Sequence, residues 1–108
     1  MNGILGFDIK VTQFTQIEKV DYYQIELFIN GIKRKQILRR YNDLSKFNEE
    51  LTNKFGNLIP SFPPATVYFI KPTQEQRMVD FQIYFSGICL HPEVCLSQEL
   101  ASFFDSNN

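Results

Sequence analysis

Apolar side chains alternate with polar ones through the first forty residues of this chain, and from Asn42 onward they return at every third or fourth position instead. Phe7, Ile9 and Val11 alternate with Asp8, Lys10 and Thr12, and Tyr23, Ile25, Leu27 and Ile29 alternate with Gln24, Glu26, Phe28 and Asn30. A period of two belongs to an extended chain with one face buried, because successive side chains leave a strand on opposite sides. Leu44, Phe47, Leu51 and Phe55 then follow the period of a helix with one apolar stripe. A chain that changes period once, and does not change back, lays down a sheet and then packs helices on it. The expected class is α+β: a three-stranded antiparallel sheet against a helical subdomain. At 108 residues the chain suits one domain over 1–108, with its core at about 7–104.

Local signals fix the joints. Asn30-Gly31 supplies the positive φ angles of a two-residue hairpin turn, so Ile32–Arg40 should pair antiparallel with the strand before it. Asn42 or Asp43 is the expected cap of the first helix, and Gly56 its end. Pro60, Pro63, Pro64 and Pro72 exclude regular helix between Asn57 and Pro72 and favour polyproline II. Thr73 and Gln76 offer a capping box for a second helix with Met78, Phe81, Phe85 and Ile88 on its apolar side, ended by His91-Pro92. Ser97 is placed to cap a last short helix holding Leu100, Phe103 and Phe104.

Composition removes several function classes. Eleven Phe and five Tyr give folding a strong hydrophobic driving force and argue against disorder. No apolar run approaches the roughly 18–20 residues of a membrane span, and the residues from Met1 to Asp8 lack the pattern of a signal peptide. Two cysteines exclude a disulfide scaffold and make a reducing, cytoplasmic setting the default expectation. Cys89, His91 and Cys95 have no fourth Cys or His to close a zinc site, no cofactor-binding glycine motif is present, and nothing marks a nucleophile with its base. The expectation is a protein without metal, cofactor or catalysis.

The net charge is −1, yet Lys33, Arg34, Lys35, Arg39 and Arg40 crowd a stretch from Leu27 to Asn42 that holds no acid. Such a cluster draws anions over roughly 8–10 Å, although an exposed edge strand also carries bases simply to discourage aggregation. A net acidic chain without an evident aromatic platform argues against nucleic acid.

Three strands leading into Arg39-Arg40-Tyr41-Asn42-Asp43-Leu44, then Pro60-Ser61-Phe62-Pro63-Pro64-Ala65, then Glu75-Gln76-Arg77, give a chain that resembles a phox-homology (PX) domain over roughly Phe7 to Phe104. The resemblance implies a module that reads phosphoinositide headgroups on an anionic membrane surface, most often phosphatidylinositol 3-phosphate on endosomal membranes, as a peripheral protein; a monomer is expected. It implies that Arg40 grips the 3-phosphate, Tyr41 lies beneath the inositol ring, and Arg77 meets the ring hydroxyls from the opposite wall. The chemistry suits those roles, since a guanidinium is a permanently charged fork that meets phosphate oxygens in pairs. Taken singly, each residue also has an ordinary structural reading: Arg40 paired with Glu26, Tyr41 in the core, Arg77 paired with Asp80 or Glu75.

The pattern departs from the family in places. Ala65-Thr66 stands where the family has a Lys after the double proline, leaving Lys71 as the next base able to reach in. Leu44 replaces a common Phe, a swap of similar character, and Asn42 offers no extra base. Val67, Tyr68, Phe69 and Ile70 form an apolar loop that the resemblance implies enters the bilayer interface; the other reading packs Val67 and Phe69 on the sheet. Pro60-Ser61-Phe62-Pro63 also matches a P-x-x-P pattern that a protein partner could dock on. The alternative function is a PX-fold protein-interaction domain with weak or no lipid binding.

Overall fold

The computed structural model describes residues 6–105. Residues 1–5 and 106–108 of the expected 1–108 domain lie outside the described residues, and so does most of the N-terminal segment read against a signal peptide. Strands β1 (Phe7–Ile17), β2 (Val20–Ile29) and β3 (Ile32–Arg40) form one antiparallel sheet in the order β1-β2-β3. Helices α1 (Tyr41–Phe55), α2 (Gln74–Ile88), α3 (Pro92–Cys95) and α4 (Gln98–Asp105) follow. The change of period therefore marks the change from sheet to helix to within a residue.

Two turns join the strands, and they are built from unlike residues. Asn30 and Gly31 sit at φ 52° and 80°, as their side chains allow. Glu18 and Lys19 occupy the same left-handed region at 49° and 67° with no turn-forming chemistry, so sequence alone gave no sign of this hairpin. The first helix begins one residue earlier than expected. Arg40 is its cap, and the expected caps Asn42 and Asp43 lie inside it, with the Asp43 carboxylate accepting a bond from the Arg40 amide at 3.2 Å. The Thr73 hydroxyl accepts from the Gln76 amide at 3.1 Å, while the Gln76 side chain turns away to Asp80 at 2.9 Å, leaving half of the expected capping box. Ser97 caps α4 through the Leu100 amide at 3.2 Å. Helix α3, with Pro92 in its first turn, was not anticipated.

The segment between α1 and α2 is not uniform polyproline II. It opens with a 3-10 turn over Gly56–Leu58, and Val67 and Ile70 exchange two backbone bonds of 2.9 Å across a tight turn. Proline supplies no donor and fixes φ, but the four prolines do not govern the residues between Ala65 and Lys71.

The core lies between the sheet and α2. Ile9, Tyr23 and Ile25 from the strands meet Phe81, Tyr84, Phe85 and Ile88 of α2, with Leu44, Phe47 and Leu51 of α1 and Phe104 of α4 closing the ends. Phe47 and Phe103 stack at 4.0 Å. Gly87 is required by packing: a Cβ there would come within 2.6 Å of Pro60 Cγ. Gln82 of α2 reaches the outer edge of β1, accepting from the Val11 amide at 2.9 Å and donating to the Ile9 carbonyl at 2.8 Å.

Candidate functional site

The basic cluster of β3 does not act as one patch. Lys33 pairs with Glu26 at 3.3 Å and Lys35 with Asp105 at 2.9 Å. Arg39 is buried and in phase with Ile37; it donates to the Phe103 carbonyl at 2.9 Å and lies 5.4 Å over the Phe103 ring. Burial pushes its pKa down, and Asp43 partly restores it. Arg39 thus fastens α4 to the sheet. Its neighbour Arg40 points the other way, because the pleat sends consecutive side chains to opposite faces. The ordinary reading that paired Arg40 with Glu26 fails on register, since Arg40 stands opposite Tyr22 and Glu26 stands opposite Gln36.

Arg40, Tyr41, Lys71 and Arg77 line a single open cavity of about 170 Å³, together with Lys19, Val20, Asp21 and Asn42. The β1–β2 turn, the end of β3, the start of α1, the loop into α2 and α2 itself all contribute to its lining. Four cations face one carboxylate there. That carboxylate, Asp21, accepts bonds from Gln74 and Gln16, which tie the turn to the first residue of α2.

Arg77 is the unusual member. Only 6% of it is exposed, yet among the described residues it forms no ion pair. Neither Glu75 nor Asp80 on its own helix serves it. One amino group donates to the Ala65 carbonyl at 2.9 Å, and the guanidinium lies 4.6 Å over the Tyr41 ring. Its Nε is buried without a hydrogen-bond partner, and so is the hydroxyl of neighbouring Tyr23. Burial raises the Tyr23 pKa, with Arg77 working against the shift. A buried charge without a counter-charge destabilises the empty protein by several kcal/mol on the usual scale, and an anion entering beside it removes that penalty.

Tyr41 serves both the core and the cavity. Its hydroxyl donates to the Pro63 carbonyl at 2.7 Å, and its ring meets Phe62 at 5.4 Å and Phe81 at 6.0 Å while carrying Arg77 on a face. Burial raises its pKa, again offset by Arg77. The proline loop is held in the same way: Pro60 abuts Gly87 and Phe62 packs edge-on to Tyr84 at 5.3 Å. Two residues of the P-x-x-P stretch are thereby engaged within the fold.

Beside the cavity, Tyr68 and Phe69 stand at the tip of their turn at φ 52° and 66°, exposed to 91% and 100%. Val67 and Ile70 are exposed as well, so neither Val67 nor Phe69 packs on the sheet. Among the described residues no helix is long and apolar enough to cross a membrane, and no group of three potential metal ligands occurs. Cys89 and Cys95 are buried; the hydrogen bond to Cys95 and burial both push the Cys89 thiol up. Lys19 and Asp21 were missed by sequence reasoning, because only the fold carries the β1–β2 turn to the cavity.

The family model described as PX domain matches residues 29–107. Sorting nexin-31 from Xenopus tropicalis is 32% identical over 68 residues, which is 60% of this chain and 15% of that protein. Sorting nexin-31 from Homo sapiens is 31% identical over 67 residues, 59% of this chain and again 15% of the relative. The chain thus spans about 15% of the length of these curated relatives. An X-ray structure of a designed CISK-PX domain superposes with a TM-score of 0.78 at 21% identity, covering 92% of this chain and 99% of that one.

Proposed function

Since the chain belongs to the PX domain family, whose members are phosphoinositide- and membrane-associated modules without catalytic activity in general, we propose that it targets membranes by binding phosphatidylinositol 3-phosphate, with endosomal membranes as its destination. The observation that carries this reading is Arg77, buried and without an acid, facing the cavity that Arg40 also lines. Arg40 grips the 3-phosphate, the ring of Tyr41 supports the inositol, Arg77 bonds to the ring hydroxyls, and Lys71 reaches the phosphate that leads to the lipid. Charge-assisted bonds of this kind are each worth about 1.5–3 kcal/mol. The exposed Val67–Ile70 turn enters the interface beside the bound headgroup, adding apolar burial to the ionic contacts.

The test is pelleting with vesicles that carry each phosphoinositide in turn. Wild-type protein should prefer phosphatidylinositol 3-phosphate, and Arg40→Ala should weaken that binding about ten- to a hundredfold with an unchanged circular dichroism spectrum. Full pelleting by Arg40→Ala would refute the site. The second reading, a protein-interaction domain on the same fold, draws on the missing base at Ala65-Thr66. It would be favoured by a wild-type protein that binds none of the lipids.

A further inference from the structure

Among the described residues, three two-residue turns hold both central residues in the left-handed region, and they divide by place. The turn away from the cavity uses Asn30-Gly31, the pair that adopts such angles most readily. The two turns bordering the cavity use Glu18-Lys19 and Tyr68-Phe69, which adopt them at a conformational cost. At Tyr68-Phe69 the side chains are fully presented to solvent. At Glu18-Lys19, Lys19 lines the cavity, and among the described residues it forms no ion pair that would explain its presence. Gly at position 19 would suit the backbone better than any side chain.

We propose that Lys19 is a phosphate contact of the cavity, adding from the β1–β2 turn a further cation to Arg40, Lys71 and Arg77. The proposal rests on the headgroup reading above. Lys19 is a compact cation on a long stem, suited to meeting a phosphate as a point charge without a fixed hydrogen-bond fork. Its position is set from two directions: the hairpin fixes the backbone, and the bond between Asp21 and Gln74 holds that hairpin against the start of α2.

The test separates binding from folding by their opposite signs. Lys19→Gly relieves the turn, so its Tm should equal or exceed that of the wild type. Its affinity for soluble dibutanoyl phosphatidylinositol 3-phosphate should fall about tenfold, and the salt dependence of binding should become shallower. Lys19→Arg should restore most of the affinity. Inorganic phosphate and vesicles bearing the same headgroup form the other arms. The proposal predicts a loss with headgroup and vesicle alike; a loss confined to inorganic phosphate would overturn it. Lys19→Gly binding as well as the wild type, while Arg40→Ala does not bind, would overturn the Lys19 assignment and leave the cavity reading standing. Wild-type binding by Arg40→Ala would remove both.

Discussion

A guanidinium buried without an acid harms the protein that carries it unless something arrives to match it. Arg77 therefore makes a prediction with two signs. Arg77→Met keeps the apolar stem and removes the uncompensated charge, so the protein without ligand should melt no lower than the wild type. Its binding to phosphatidylinositol 3-phosphate vesicles should fall about ten- to a hundredfold. Calorimetry and pelleting on the same sample check both, and a large fall in Tm would make Arg77 a structural residue instead. The Arg39–Arg40 pair shows what the sequence could and could not say at this scale. Two identical side chains in succession must face opposite ways on a strand, and Arg39 is the buried one, in phase with Ile37. What the sequence lacked was the ring and carbonyl of Phe103 that receive it, contributed from 64 positions away. Arg77 was legible as a base on a helix, but its isolation from acid depends on which loop carbonyl it meets.

Among the elements, the Val67–Ile70 turn is the one whose role departs most from stability. Replacing Tyr68 and Phe69 with Ser leaves the core untouched, since both are already exposed. Vesicle binding should weaken at least about tenfold while affinity for soluble headgroup changes less than about twofold; equal losses in the two assays would sink the insertion role. The elements with periodic apolar faces were readable in advance because periodicity is a direct imprint of burial, as β1, β2, α1 and α2 show. The β1–β2 turn, α3 and the tight turn at Val67–Ile70 were not: α3 is four residues long, too short to show a period, and the two turns are built from residues without turn-forming chemistry. Left-handed Glu18-Lys19 and Tyr68-Phe69 contradict local preference outright.

For the whole molecule, the single change of period was enough to give the layer order, because a sheet and helices with one apolar face each have few ways to cover one another. The cavity was readable only in part, since it draws on residues 19–21, 40–42, 71 and 77, which folding alone makes neighbours. Global stability also carries a pH signature. Glu26 accepts from Thr12 at 2.7 Å and from Gln24 at 2.8 Å and faces Lys33, and these contacts hold its carboxyl below its ordinary range against the opposing effect of burial. A depressed carboxylate stabilises the fold above its unfolded pKa, about 4.3, and that contribution is lost as the pH falls toward the lower folded value. Glu26→Gln should therefore lower stability at neutral pH and flatten its decline between about pH 5 and pH 3, measured by urea unfolding at each pH. An unchanged slope would show that Glu26 titrates alike in both states. The reach of Gln82 to the rim of β1 has a last consequence. Its carboxamide mimics the backbone of an absent neighbouring strand at Ile9 and Val11. A second chain that approached the β1 edge to add a strand would find those positions already taken.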